Sequence, residues 1–156
     1  HGSNHSKRGL WLYVCALLQT LGRYDPVHVT VSIDGEVTTG ELFLLTIGNG
    51  TTVGGGFKLT PHARVDDGLL DVTIVRPLGI LTLLWYLPKV IFGTIDRATR
   101  HARLTRARKL CVTSDRPVPV HVDGEIYESK DMTYRIEVIP RALTVITKGS
   151  EPNPKG

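Results

Sequence analysis

Sulfur is scarce in this chain of 156 residues, which holds two cysteines and one methionine. Cys15 and Cys111 stand 96 positions apart, so no C-x-x-C pair exists to hold a metal or to cycle a disulfide. With no secretory signal before them, they read as core thiols of a protein kept in a reducing compartment. Aromatic residues make up 6% of the chain, too few for the exposed ring cluster of a polysaccharide binder. No serine sits in G-x-S-x-G and no histidine in H-E-x-x-H, so neither a hydrolase triad nor a zinc centre is expected. Charge of one sign is also in short supply. A net +4 is too small an excess to argue for nucleic acid by itself.

What is present is globular. A hydrophobic share of 41% with 22% charged residues excludes a disordered tail and a multi-span membrane protein. The length suits one domain, since a single core serves about 100 to 200 residues. The only methionine is Met132, and the chain begins HGSNHS. It is therefore expected to be processed or cut from something longer, with residues 1–7 a tag or linker, a domain over 8–148 and a frayed tail over 149–156.

Two apolar runs stand out. Leu10 to Leu21 has twelve residues closed by Gly22, short of the about 20 needed to span a bilayer, and predicts a buried helix. Leu78 to Ile95 has eighteen, but Pro88 and Lys89 sit just past its centre. A core or interfacial helix ending near Pro88 is expected there. Elsewhere the period is two. Val27, Val29, Val31 and Ile33 alternate with polar residues before an Asp34-Gly35 turn, and strands follow from Val37 and over Leu42–Ile47. Others are predicted over Leu69–Val75, Lys109–Thr113, Val118–Val122, Tyr134–Ile139 and Leu143–Thr147. Many short strands with one or two helices predict a mainly antiparallel β-sandwich.

Four features carry chemistry. The glycine loop from Gly48 to Gly56 fits neither a P-loop nor G-x-G-x-x-G; it is either an anion nest or an irregular turn. Asp66-Asp67-Gly68 followed by Asp71 is either a hard-cation site or a solvated turn. Asp123-Gly124-Glu125 repeats the earlier Asp34-Gly35-Glu36 within V-x-V-x-[IV]-D-G-E-[VI], and either copy alone reads as a hairpin turn. Residues 96–109 hold six basic side chains and one acidic. With no aromatics interleaved, this segment suits a solvated loop or an anionic membrane surface, not nucleic acid.

Taken in order, NG-x(3)-GGG-F-x(3)-P-x-A-x(2)-DDG-x-LD, then V-x-V-D-G-E, then P-x-A-L resembles the C-terminal domain of diacylglycerol kinase-like lipid kinases. That group includes bacterial diacylglycerol kinases and the sphingosine and ceramide kinases, and the resemblance covers roughly residues 8–148. It implies the β-sandwich of the NAD kinase/diacylglycerol kinase-like fold, facing an N-terminal nucleotide domain across a cleft. The nucleotide motif Gly-Gly-Asp-Gly is not found in this chain, so that domain is expected to be a missing partner.

By the same resemblance, Glu125 would face the cleft and help hold catalytic Mg²⁺, with Asp123 supporting its turn. Asp67 would hold a structural Mg²⁺ with the carbonyls of Arg64 and Leu69. The loop of Asn49, Gly54, Gly55 and Gly56 would position backbone near ATP, and Asp34-Gly35-Glu36 would remain an ordinary hairpin. The implied reaction is ATP-dependent phosphorylation of a lipid hydroxyl, cytoplasmic and peripheral to the membrane, with the general base on the other domain. The chain alone is expected to be inactive. A non-catalytic module for membrane binding or oligomerisation, including a homodimer, is the alternative. Neither the lipid nor the oligomeric state is encoded in these motifs.

Overall fold

A computed structural model describes residues 26–53, 56–95, 100–127 and 130–144. The expected helix over 10–21, the linker 1–7 and the tail 149–156 lie outside the described residues, as do Gly54, Gly55 and Arg97.

Two antiparallel sheets and one helix form the described architecture. Strand β1 (Val27–Ile33) lies between β2 (Glu36–Leu42) and β6 (Lys109–Ser114), and β9 (Thr133–Glu137) completes the order β2-β1-β6-β9. The second sheet is β3 (Leu44–Gly48), β4 (Leu70–Val75) and β5 (Ala102–Ala107), with β4 central. A separate ribbon pairs β7 (Val120–Val122) with β8 (Glu125–Tyr127). The predicted antiparallel sandwich is the one found.

Period-two patterning explains how the sheets meet. In β1, Val29 and Val31 are buried while His28 is exposed. In β4 all six residues are buried, because both faces are covered. Leu70, Val72 and Ile74 face the four-stranded sheet and pack with Ala107, Leu110 and Ile136. Val75, one of the alternate residues, packs on Tyr86, Ile95 and Ala102 beneath the helix. Each such aliphatic side chain contributes about 1.5–3 kcal/mol by leaving water. On the four-stranded sheet, the hydroxyls of Thr30 and Thr39, and of Thr113 and Thr133, hydrogen-bond across strands at 3.2 Å.

Three expectations need correcting. The helix, α1 (Ile80–Phe92), runs through Pro88 and closes one turn later at Gly93, which is left-handed at φ 73°. Pro88 removes one ladder donor. The last turn is nevertheless held, because Lys58 N–H donates to Val90 O at 3.0 Å and Thr94 N–H to Lys89 O at 2.8 Å. Second, the basic segment is not simply a loop, since Ala102–Ala107 forms β5. Its buried Ala102 and Ala107 are small enough to sit in the core while Arg103 and Arg106 reach solvent. Third, Leu143 and Thr144 are not in a strand; the rest of that expected strand, 145–147, lies outside the described residues.

Candidate functional site

The face of β4 that seats α1 at one end carries carboxylates at the other. Asp71 is 8% exposed and pairs in register with Arg106 of β5 and with Gly48 of β3. Three segments therefore meet at this end: the glycine loop leaving β3, the Asp-Asp-Gly turn entering β4, and the arginine of β5.

Adjacent aspartates in the turn do opposite things. Asp66 points outward, where Arg64 Nε and Nη2 donate to its two oxygens at 3.1 and 3.3 Å. That hydrogen bond, and then the guanidinium charge, hold the Asp66 carboxyl below its usual range and raise Arg64 in turn. Both side chains are about two-thirds exposed, so water screens the pair. Asp67 turns inward. Its Oδ1 accepts from Leu69 N–H at 3.0 Å, closing the turn with Gly68 at φ 69°. A Cβ at Gly68 would lie 3.6 Å from Pro140 Cγ, so the late P-x-A-L motif packs on the Asp-Asp-Gly turn.

Arg106 lies among these acids at long range. Its Nε is 3.5 Å from Asp71 Oδ1, its Nη1 is 4.0 Å from Asp67 Oδ2, and its Nη2 donates to His62 O at 3.3 Å. Two carboxylates, 11% and 18% exposed, thus share one guanidinium. Asp67 Oδ2 and Asp71 Oδ2 are buried with no hydrogen-bond partner. An unsatisfied buried carboxylate oxygen is costly, and the surplus negative charge suits a hard cation. Among the described residues, no three His, Cys, Asp or Glu side chains converge to hold a metal. A cation here would depend on main-chain carbonyls and water beside Asp67.

The glycine loop is partly a tight turn. Val53 and Phe57 form a bridge, with Gly56 at φ 83°. Gly48 is needed for close approach, because a Cβ there would meet Thr60 Oγ1 at 2.8 Å. That hydroxyl donates to Gly50 O at 2.7 Å, and Thr60 is buried. Asn49 is exposed beside it.

Asp123-Gly124-Glu125 stands apart from this cluster. The turn has φ 50° at Asp123 and 93° at Gly124, and every residue from His121 to Tyr127 is exposed. The contact recorded for the Glu125 carboxylate is its Oε2 with Tyr127 Oη at 3.5 Å. No ion pair or hydrogen bond joins it to Asp67 among the described residues. Val122, Ile126 and Tyr127 expose half or more of their surface around it.

Sequence reasoning gave Arg106 no role beyond surface charge, and passed over the Asp71–Arg106 pair. Recognising β5 as a strand would have found it, since the register sets the two residues opposite each other. The first Asp-Gly turn also does more than expected. Asp34 Oδ1 accepts from Arg108 N–H at 3.0 Å and Lys109 N–H at 2.9 Å, fastening the hairpin to the junction of β5 and β6.

Comparison with known proteins fits this layout. The family model for the YegS C-terminal NAD kinase beta sandwich-like domain matches residues 3–147. A probable lipid kinase YegS-like from Xanthomonas euvesicatoria is 36% identical over 140 residues, covering 90% of this chain and 45% of the relative. A namesake from Pseudomonas aeruginosa is 34% identical over 146 residues, covering 87% and 44%. The crystal structure of a diacylglycerol kinase from Bacillus anthracis superposes with a TM-score of 0.63 at 26% identity, covering 81% of this chain and 43% of that one. The chain spans less than half the length of these relatives. Since the family match takes in the glycine loop, the Asp-Asp-Gly turn and the exposed ribbon alike, the chain belongs to the YegS C-terminal NAD kinase β-sandwich-like domain family.

Proposed function

We propose that this chain is the lipid-side domain of an ATP-dependent lipid kinase, diacylglycerol kinase-like, that phosphorylates a lipid hydroxyl when joined to a nucleotide-binding domain. The observation that carries the reading is Glu125. It is a carboxylate held at a turn, exposed and without an ion pair among the described residues, in a chain whose relatives are named lipid kinases. An exposed carboxylate whose contact among the described residues is with Tyr127, beside exposed Val122 and Ile126, suits the wall of a cleft closed by a second domain.

Each residue then has a task. Glu125 supplies the negative charge that would hold Mg²⁺ at the cleft. Asp123 takes the left-handed conformation that presents Glu125 at the turn. The main chain at Asn49 and Gly56 would take the nucleotide side of the cleft. The general base for the lipid hydroxyl belongs to the partner domain. When bound, Mg²⁺ offsets the charge of the phosphoryl group in transfer, a reaction that relies on positioning and charge neutralisation.

The Asp-Asp-Gly turn fits a second, structural Mg²⁺. The buried Asp67 Oδ2, without a hydrogen-bond partner, would be the side-chain ligand, and the carbonyls of Arg64 and Leu69 would complete the protein's share. The Arg64 side chain is committed to Asp66, leaving only its carbonyl for this role. The kinase would work on the cytoplasmic side, peripheral to the membrane. Among the described residues no helix is long and apolar enough to cross one.

The test is transfer of labelled phosphate from ATP to diacylglycerol. The chain alone should give none, and the chain joined to its nucleotide domain should give Mg²⁺-dependent product. Turnover by the isolated chain overturns the division of labour. No product from the joined protein with any lipid hydroxyl overturns the kinase reading.

A further inference from the structure

Helix α1 faces solvent with its apolar side. Leu81, Leu84, Trp85, Pro88 and Phe92 are all exposed, and three of them keep more than half of their surface open: Leu81 79%, Trp85 56% and Phe92 74%. At about 100° per residue these five positions fall within a sector of roughly 100°, one continuous stripe along the helix. The other side of α1 is already used, with Tyr86 and Val90 packed against Val75, Ile95 and Ala102. A helix that is apolar on both sides has a second neighbour besides the core.

The surroundings of the stripe name the neighbour's charge. Lys89 Nζ sits 4.3 Å from the Trp85 ring centroid, at the stripe's edge. The Lys58 side chain lies against Gly93 at the C-terminal end of α1, and Arg76 precedes its N-terminal end. Arg76 N–H donates to His101 O, and His101 stacks edge-on against Tyr86, which brings exposed Arg100 toward α1. No Asp or Glu occurs in residues 56–65, 76–95 or 100–108. An apolar stripe with an aromatic ring, rimmed by basic residues and, among the described residues of these segments, without acidic ones, complements the headgroup boundary of an anionic bilayer.

We propose that the outer face of α1 is an interfacial anchor. Leu81, Leu84, Trp85, Pro88 and Phe92 enter the headgroup–acyl boundary while Lys58, Arg76, Lys89 and Arg100 meet lipid phosphates. At 13 residues and about 20 Å, the helix lies in the interface and does not cross it. The anchor takes its purpose from the lipid-kinase reading, since it would hold the domain where a lipid substrate resides.

The probe is the full chain with phosphatidylglycerol–phosphatidylcholine vesicles against phosphatidylcholine alone. In a Trp11→Phe background, Trp85 emission should be quenched by vesicles with brominated acyl chains. Leu81→Ser combined with Phe92→Ser should lower partition into anionic vesicles by about ten-fold, and Arg76→Glu with Arg100→Glu should do so by a comparable factor. Because these positions are exposed, unchanged circular dichroism and melting temperature should accompany the loss. Absence of Trp85 quenching overturns the anchor. So does binding that the apolar double variant leaves intact, or a dimer dissolved by that variant in a chain that ignores vesicles. In the joined protein, activity on detergent-dispersed diacylglycerol separates the two ideas. Retained activity with lost vesicle binding supports the anchor, whereas a protein that binds vesicles but never phosphorylates lipid sinks only the kinase reading.

Discussion

The molecule contains the same hairpin sentence twice, with different outcomes. Val29–Val37 and Val118–Ile126 both read V-x-V-x-[IV]-D-G-E-[VI], and both turns adopt the same left-handed pair, φ 47° and 97° in the first and 50° and 93° in the second. In the first copy, seven-residue strands lie in the four-stranded sheet, and the Asp34 carboxylate accepts main-chain bonds from Arg108 and Lys109. In the second, three-residue strands form an exposed ribbon, and Asp123 makes no hydrogen bond to another described residue. Local code therefore sets the turn, while the segment packed beside it decides whether the carboxylates are structural or free for chemistry.

The sharpest way to break that contrast is to treat the two glutamates alike. In the proposed joined kinase, Glu125→Gln should lower kcat by about 100-fold or more, equivalent to about 2.7 kcal/mol of transition-state stabilisation. The melting temperature should barely move, because among the described residues the carboxylate's hydrogen bond is with exposed Tyr127. Glu36→Gln should change neither. Equal losses from both would mean that the ribbon is not special.

The Asp-Asp-Gly turn extends the comparison, because there the inward and outward roles fall on adjacent residues. Removing the guanidinium shared by Asp67 and Asp71, by Arg106→Gln, should destabilise the chain by about 2 kcal/mol in urea without metal. Added Mg²⁺ should restore part of this and raise the melting temperature in a concentration-dependent way. Asp67→Asn in the same background should abolish the Mg²⁺ response. A response that survives would place the ion elsewhere.

Asp34→Ala and Asp123→Ala test the hairpins themselves. Both substitutions put alanine at a left-handed position, so that penalty is common and cancels in the difference. What remains is the bonds accepted by Asp34, about 1–2 kcal/mol in denaturant unfolding. Equal destabilisation would show that the fastening at Arg108 and Lys109 carries no free energy.

These contrasts also mark how far the sequence could be read. The alternation in β1, the Asp-Gly turns, the buried β4 and the start of α1 follow from periodicity and turn chemistry, both local. The continuation of α1 past Pro88 depends on an N–H from Lys58, far back in the chain, so proline alone pointed to a stop one turn early. Strand β5 was hidden by its arginines, of which Arg106 pairs with Asp71 across the sheet. Asp34 finds its partners 74 and 75 positions away. The motif order singles out Glu125 and Asp67, but the burial of Asp67 Oδ2 and Asp71 Oδ2 without hydrogen-bond partners around Arg106 is a product of strand pairing that no local pattern contains.

The smallest effect belongs to the most local pair. Asp66 and Arg64 are two residues apart, and the lowered Asp66 carboxyl comes from that contact, first by hydrogen bond and then by charge. A carboxyl lowered in the folded state adds stability above its unfolded value of about 3.9 and loses it as pH falls through the lowered folded value. Both side chains lie mostly in water, so the contribution is screened. Arg64→Ala should therefore move the Asp66 midpoint upward in an NMR titration, and added salt should shrink the gap between variant and parent. Stability at neutral pH should not change measurably. A clear loss there would mean that Arg64 holds the turn itself, placing the outward pair with Asp34 among the structural contacts instead of with the idle Asp123.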